Sequence, residues 1–124
     1  MGRPAVLLAL MLAFGATASF AAESENFQVK TTRDLVTLCS AKMGDADYDA
    51  AKGYCLGFID AAHDYHAVIT SGDMLRPITC PGKMTTRQQV IDMFLAWARN
   101  NEGLLDGESP IQGLMRAASA RWPC

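Results

Sequence analysis

The sequence has no Cys-x-x-Cys pair and no Gly-x-Ser-x-Gly elbow, and its only histidines are His63 and His66. A thiol redox motif and a serine nucleophile on a strand-to-helix elbow are therefore excluded. Aromatic residues are sparse, at 8%. Lys and Arg total 11 against 13 Asp and Glu, for a net charge of −2. A chain with no basic excess lacks the electrostatic footprint of a nucleic-acid or polybasic membrane binder. Its longest apolar run, Ala5 to Phe14, holds 10 residues, short of the ~20 that span a bilayer. No segment shows the alternation of a half-buried strand.

What is present is an even set of four cysteines, Cys39, Cys55, Cys80 and Cys124, behind a short apolar leader. Arg3, the apolar run and the small residues Gly15 to Ala22 make a basic, an apolar and a cleavage region in the order of a secretory signal peptide. We expect a signal peptide over residues 1–21, cleaved after Ala21, although Ala18 also satisfies the small-residue rule. No cysteine lies near the cleavage region to carry a lipid. Removal leaves residues 22–124 as one domain, formally −3 in charge, and a periplasmic or extracellular location. In an exported chain of this size, four cysteines read as two disulfides.

The remaining pattern is helical. Thr31 with Asp34 three residues on starts a first helix that ends near Lys42-Met43-Gly44, and Asp45 or Asp47 can cap the next. The second helix shows a stripe of Tyr48, Ala51, Cys55, Phe58, Ala62, Tyr65 and Ile69, spaced three and four apart. Gly53 and Gly57 lie off that stripe, which suggests close approach of a neighbouring helix. Thr70 to Met84 reads as loop. A third helix starts at Thr85 or Thr86, with Val90, Ile91, Phe94, Leu95 and Ala98 as its buried face. Asn100 to Gly103 stops it. Ser109-Pro110, with Gln112 in a capping box, opens a fourth, whose face is Ile111, Leu114, Met115, Ala118 and Trp122. The expected fold is all-α: four helices in two hairpins, stapled by two disulfides.

Four cysteines allow three connectivities. Cys39 and Cys55 lie equally far from the turn between the first two helices. Cys80 precedes the third helix and Cys124 follows the fourth, so a hairpin brings those ends together. The expected bridges are Cys39–Cys55 and Cys80–Cys124.

The cysteines and their neighbours also form an ordered signature. It comprises Leu38-Cys39, Tyr54-Cys55-Leu56-Gly57-Phe58-Ile59, Cys80-Pro81 followed by Met84-Thr85-x-x-Gln88, and Trp122-Pro123-Cys124. From about Leu35 to Cys124 this resembles the Tai/Rap family of periplasmic immunity proteins, which protect bacteria from type VI secretion amidase effectors. The resemblance implies a small, helical, disulfide-bonded periplasmic protein, often a dimer. It also implies binding that occludes the cleft of a peptidoglycan amidase, without catalysis. Asp60-Ala61-Ala62 departs from the pattern, since family members often carry glycine there. Effector-blocking segments differ between pairs, so no effector-binding residue carries over.

Several groups invite a chemical role. Asp60, His63, Asp64 and His66 share helix 2 at spacings that suit a metal, yet they also describe a solvated polar face, and structural zinc usually draws on more than one element. We expect no metal, no cofactor and no catalytic residue. Met43, Met74 and Met84 fall in loops without a Met-x-x-Met repeat. The two connections offer the better candidates, because loops on a cross-linked scaffold are common binding surfaces. Met74, Leu75, Arg76 and Ile78 in the long loop, with Leu104 and Leu105 in the shorter one, are the expected partner-binding residues. A rival reading is a periplasmic acid-stress chaperone resembling the HdeA type, in which acid loosens the fold as native carboxylates protonate.

Overall fold

A computed structural model describes residues 28–124 and, before them, Gly2 alone. Apart from Gly2, the expected signal peptide lies outside the described residues. Four helices follow in order: α1 (Thr32–Cys39), α2 (Tyr48–Ile69), α3 (Arg87–Asn100) and α4 (Pro110–Arg121), with a 3₁₀ turn at Glu102–Leu104 before α4. No strand occurs among the described residues. No helix there is long and apolar enough to cross a membrane.

Three helices start where their capping chemistry dictates. Thr31 with Asp34, Thr86 with Gln89 and Ser109 with Gln112 each form a complete capping box. In α1 the Thr31 hydroxyl accepts from the Asp34 N–H at 3.2 Å, and the Asp34 carboxylate accepts from the Thr31 N–H at 2.8 Å. Such caps satisfy N–H groups that a helix start leaves unpaired, at about 1 kcal/mol each. Helix α2 departs from expectation, since Asp47 makes no side-chain cap. The Asp45 carboxylate instead accepts from the Lys42 N–H at 2.8 Å, closing a turn in which Gly44 adopts φ 101°. That left-handed conformation suits glycine.

The core gathers Leu35 and Cys39 of α1, Cys55, Ile59 and Ala62 of α2, Ile91 and Phe94 of α3, and Leu114 and Ala117 of α4. The buried line of α2 is Ala51, Cys55, Ile59 and Ala62, continuing to half-buried His66. It is not the expected 3-4 stripe. A strict seven-residue repeat drifts about 20° per heptad on a straight helix. Over α2 this turns Phe58 to the margin and leaves Tyr65 67% exposed. In α4 the same register favours Ala117 and leaves Ile111 exposed.

The helices of each consecutive pair, α1–α2 and α3–α4, pack together, and α1 also meets α3 and α4. Closest approach falls at Gly113 rather than at Gly53 or Gly57. A Cβ added at Gly113 would overlap the Thr32 side chain, whereas one at Gly53 or Gly57 would meet nothing within 4 Å. The two α2 glycines face outward.

Both disulfides are the expected ones. Cys39–Cys55 has Cα atoms 5.1 Å apart and is buried, and Cys80–Cys124 has Cα atoms 5.0 Å apart and is exposed. Bridges of this kind persist in oxidising compartments.

The 102–108 connection is less free than its sequence suggests. Its carbonyls at Glu108 and Leu105 accept from the Thr32 and Arg33 N–H groups at 2.8 and 3.0 Å. The unpaired N–H groups of α1's first turn are thereby satisfied by a loop 70 residues away in sequence. Arg33 reinforces this, with Nε 2.6 Å from Asp106 Oδ1 and Nη1 3.2 Å from Glu102 Oε2. Leu105 is plugged into the interior with 1% exposure. The expectation that it lies on the surface is therefore corrected; Leu104 alone remains exposed.

Candidate functional site

Helix α2 outlasts its partners, so its last two turns project beyond the core and the chain must return across them. The return runs from Thr70 to Cys80 and is tied at both ends. At the near end, the Thr70 N–H and hydroxyl donate to the His66 carbonyl at 3.1 and 2.7 Å. His66 also holds the returning segment, because its Nε2 accepts from the Ile78 N–H at 3.1 Å. At the far end, the Cys80 N–H and the Thr79 hydroxyl both donate to the Trp122 carbonyl, at 2.8 and 3.2 Å. The Cys80–Cys124 bridge closes the same corner.

The loop between these ties is open to solvent. Met74 is 95% exposed and Ile78 56%, with Leu75 and Arg76 exposed beside them. Several large apolar side chains held outward on a pinned backbone are the usual composition of an interaction surface. The other expected segment lies elsewhere. Leu104 sits before α4, near the start of α1, whereas the long loop is fastened after α4 at Trp122. A helix of 12 residues spans about 18 Å, so the two segments do not form one patch.

Beneath the long loop is a cavity of about 350 Å³. Ile59, Ala62 and Ala67 of α2 form one wall, Val90 of α3 and Leu114, Met115 and Ala118 of α4 form another, and Trp122, Pro77 and Pro81 close the sides. The polar lining is limited to His63, His66, Thr70 and Thr79, besides the bridged Cys80. No Asp, Glu, Lys or Arg contributes. The cavity lies where α2, α3 and α4 meet the returning loop, on the part of α2 that runs past its last buried residue, Ala62. Sequence reasoning missed it. The one available signal was His66, which lies on the continuation of the buried line of α2.

The polar cluster of α2 does not assemble. Asp60 pairs with Arg87 of α3 at 3.1 Å, and His63 Nδ1 lies 3.2 Å from the neighbouring Asp64. His66 is committed to Ile78. Among the described residues no group of three metal-ligating side chains comes together. Shifted titrations belong to structural contacts. The Thr31 backbone N–H holds the Asp34 carboxyl below the usual carboxylate range, and Arg33 does the same to Asp106 while becoming more firmly charged itself.

A second apolar surface runs along the outside of α2. Tyr54, Phe58, Ala61, Tyr65 and Val68 recur at spacings of four and three, with Gly53 and Gly57 alongside and the Tyr54 and Phe58 rings 6.4 Å apart. These spacings place the five side chains along one face of α2.

What the described residues present is thus a disulfide-stapled helical scaffold with apolar outer surfaces on the long loop and on α2 and an uncharged cavity. Comparison with curated proteins and with solved structures returns no match. The family model described as Rap1a immunity proteins matches residues 31–124, taking in all four helices and both disulfides, and the chain belongs to that family.

Proposed function

We propose that this chain is a periplasmic immunity protein that binds and occludes the cleft of a peptidoglycan amidase delivered by type VI secretion. It performs no catalysis of its own. The observation that carries this reading is the family match over the whole helical body. The two disulfides support the compartment, and the pinned loop at Met74, Leu75, Arg76 and Ile78 offers the amidase an apolar surface with one guanidinium. Leu104 is a secondary contact at the opposite end of α4. Leu105 acts indirectly, by seating that segment. Residues 1–21 direct export and are removed. The apolar face on the outside of α2 suits a second copy of the chain, so the working form is a homodimer. The family match favours this reading over the acid-chaperone rival.

The test is protection. A periplasmic amidase encoded beside this chain is expressed with and without it, and lysis is followed. The expected outcome is survival with the chain present, a stoichiometric complex on gel filtration, and loss of protection in Leu75→Glu/Ile78→Glu. Lysis unaffected by the chain, with no complex formed, sinks the proposal. Sedimentation of the isolated chain tests the dimer, with Tyr65→Glu expected to yield a monomer.

A further inference from the structure

The cavity under the long loop has features that a protein-docking surface does not need. It is a concave space of about 350 Å³ walled by Ile59, Val90, Leu114, Met115 and Trp122. At roughly 30 Å³ per water in the liquid, it holds a ligand of about ten non-hydrogen atoms. Small-molecule sites have this character: mostly apolar walls, with a few fixed polar groups that orient the ligand.

The polar groups also define the chemistry of the ligand's head. His66 Nε2 accepts the Ile78 N–H, so in the neutral ring the hydrogen sits on Nδ1, which is then a donor. The Thr70 hydroxyl donates to the His66 carbonyl and the Thr79 hydroxyl to the Trp122 carbonyl, leaving both oxygens as acceptors. The polar edge therefore combines the His66 N–H donor with two hydroxyl acceptors, with the exposed His63 ring turned to Asp64 at its margin, and no Asp, Glu, Lys or Arg lines it to match a charged head. An ammonium or carboxylate buried there is uncompensated, which is costly. A head that both donates and accepts, without charge, is matched.

We propose that this cavity is a binding site for an uncharged amphiphile, an alcohol or primary amide on an apolar chain of about eight carbons. The chain lies against Ile59, Leu114 and Ala118, and the head meets His66 with Thr70 or Thr79. The Cys80–Cys124 bridge holds the Trp122 wall in place. The site is independent of the immunity reading: a chain that fails to protect cells still binds the amphiphile.

Octan-1-ol is the probe, titrated into the disulfide-bonded chain lacking residues 1–21 and followed by NMR of Ala67, Met115, Ala118 and the Trp122 indole. The expected dissociation constant is roughly 0.1–1 mM, in the range for a ligand of this size. Octanamide is expected to match it, while octanoate and octylammonium bind at least about tenfold more weakly. Ala67→Trp, at the exposed mouth, and Ala118→Leu, in the wall, are each expected to weaken binding about tenfold or more with folding checked by melting. Met43→Ser, exposed and outside the cavity, leaves it unchanged. The proposal is overturned if the shifts fall on Tyr65 and Val68 instead, if charged and uncharged heads bind alike, or if both cavity variants bind as the parent does.

Discussion

Gly113→Ala tests the packing of α4 on α1 at its tightest point. In an exposed helix interior this change gains about 1 kcal/mol of helix propensity. Here the new methyl overlaps Cγ2 and Oγ1 of Thr32 and stands 2.8 Å from its Cβ. Thr32 cannot swing aside freely. It is fully buried, and its hydroxyl lies 2.8 Å from the Ser109 carbonyl and 3.2 Å from that of Glu108. Overpacking costs about 1–3 kcal/mol, and displacing a bonded hydroxyl adds about 1–3 kcal/mol. Set against the propensity gain, the net loss is about 1–5 kcal/mol. For a domain near 100 residues that lowers Tm by about 5–25 °C. Thermal denaturation of the oxidised chain, followed by circular dichroism, reads this directly. In a Thr32→Ala background two of the three overlaps vanish, so the cost of Gly113→Ala should fall by about half. A Gly113→Ala protein as stable as its parent refutes the close approach.

The outward glycines should respond in the opposite direction: Gly53→Ala and Gly57→Ala each stabilise by up to about 1 kcal/mol in urea denaturation, because a Cβ there meets nothing. A loss of stability at either position contradicts that placement. Replacing Cys80 and Cys124 by serine should cost about 4 kcal/mol and replacing Cys39 and Cys55 about 3 kcal/mol, following loop length at separations of 44 and 16 residues. Under limiting reductant, alkylation and mass mapping should show the exposed Cys80–Cys124 bridge opening first; prior loss of the buried bridge refutes this. Asp34→Ala removes one half of a capping box, at about 1 kcal/mol. Because the Asp34 carboxyl is held below its ordinary value, its contribution is complete above about pH 4 and is lost as pH falls through the lower folded value. Melting curves of parent and variant should therefore converge in acid, and a gap unchanged down to pH 2 refutes it.

Residues that act within one turn of chain were legible in the sequence. Thr31, Thr86 and Ser109 find their partners three residues on, so the helix starts needed no tertiary information. The disulfide pairing followed from hairpin symmetry alone. Long-range placement was harder to read. The α2 stripe drifted because the pitch of a straight helix and a heptad repeat diverge over 22 residues. The glycines of α2 and α4 look alike in sequence, yet only Gly113 meets another backbone's side chain. The exposed loop residues Met74, Leu75, Arg76 and Ile78 were found by their polar and proline-rich surroundings. The cavity behind them was not, since its walls come from three helices, the long loop and Trp122 after α4.

By itself the sequence determined an all-α chain, its cap positions, its two bridges and the family it resembles. These depend on local hydrogen bonding and on a cysteine order that few topologies can satisfy. Tertiary structure alone decided that Leu105 is interior, that Arg33 fastens the 102–108 segment to α1, and that His66 holds Ile78 over an uncharged cavity. Each depends on how α2, α4 and the long loop come together and on where α1 meets the loop before α4. Those distances arise from side chains 12 to 77 positions apart, beyond the reach of any local pattern.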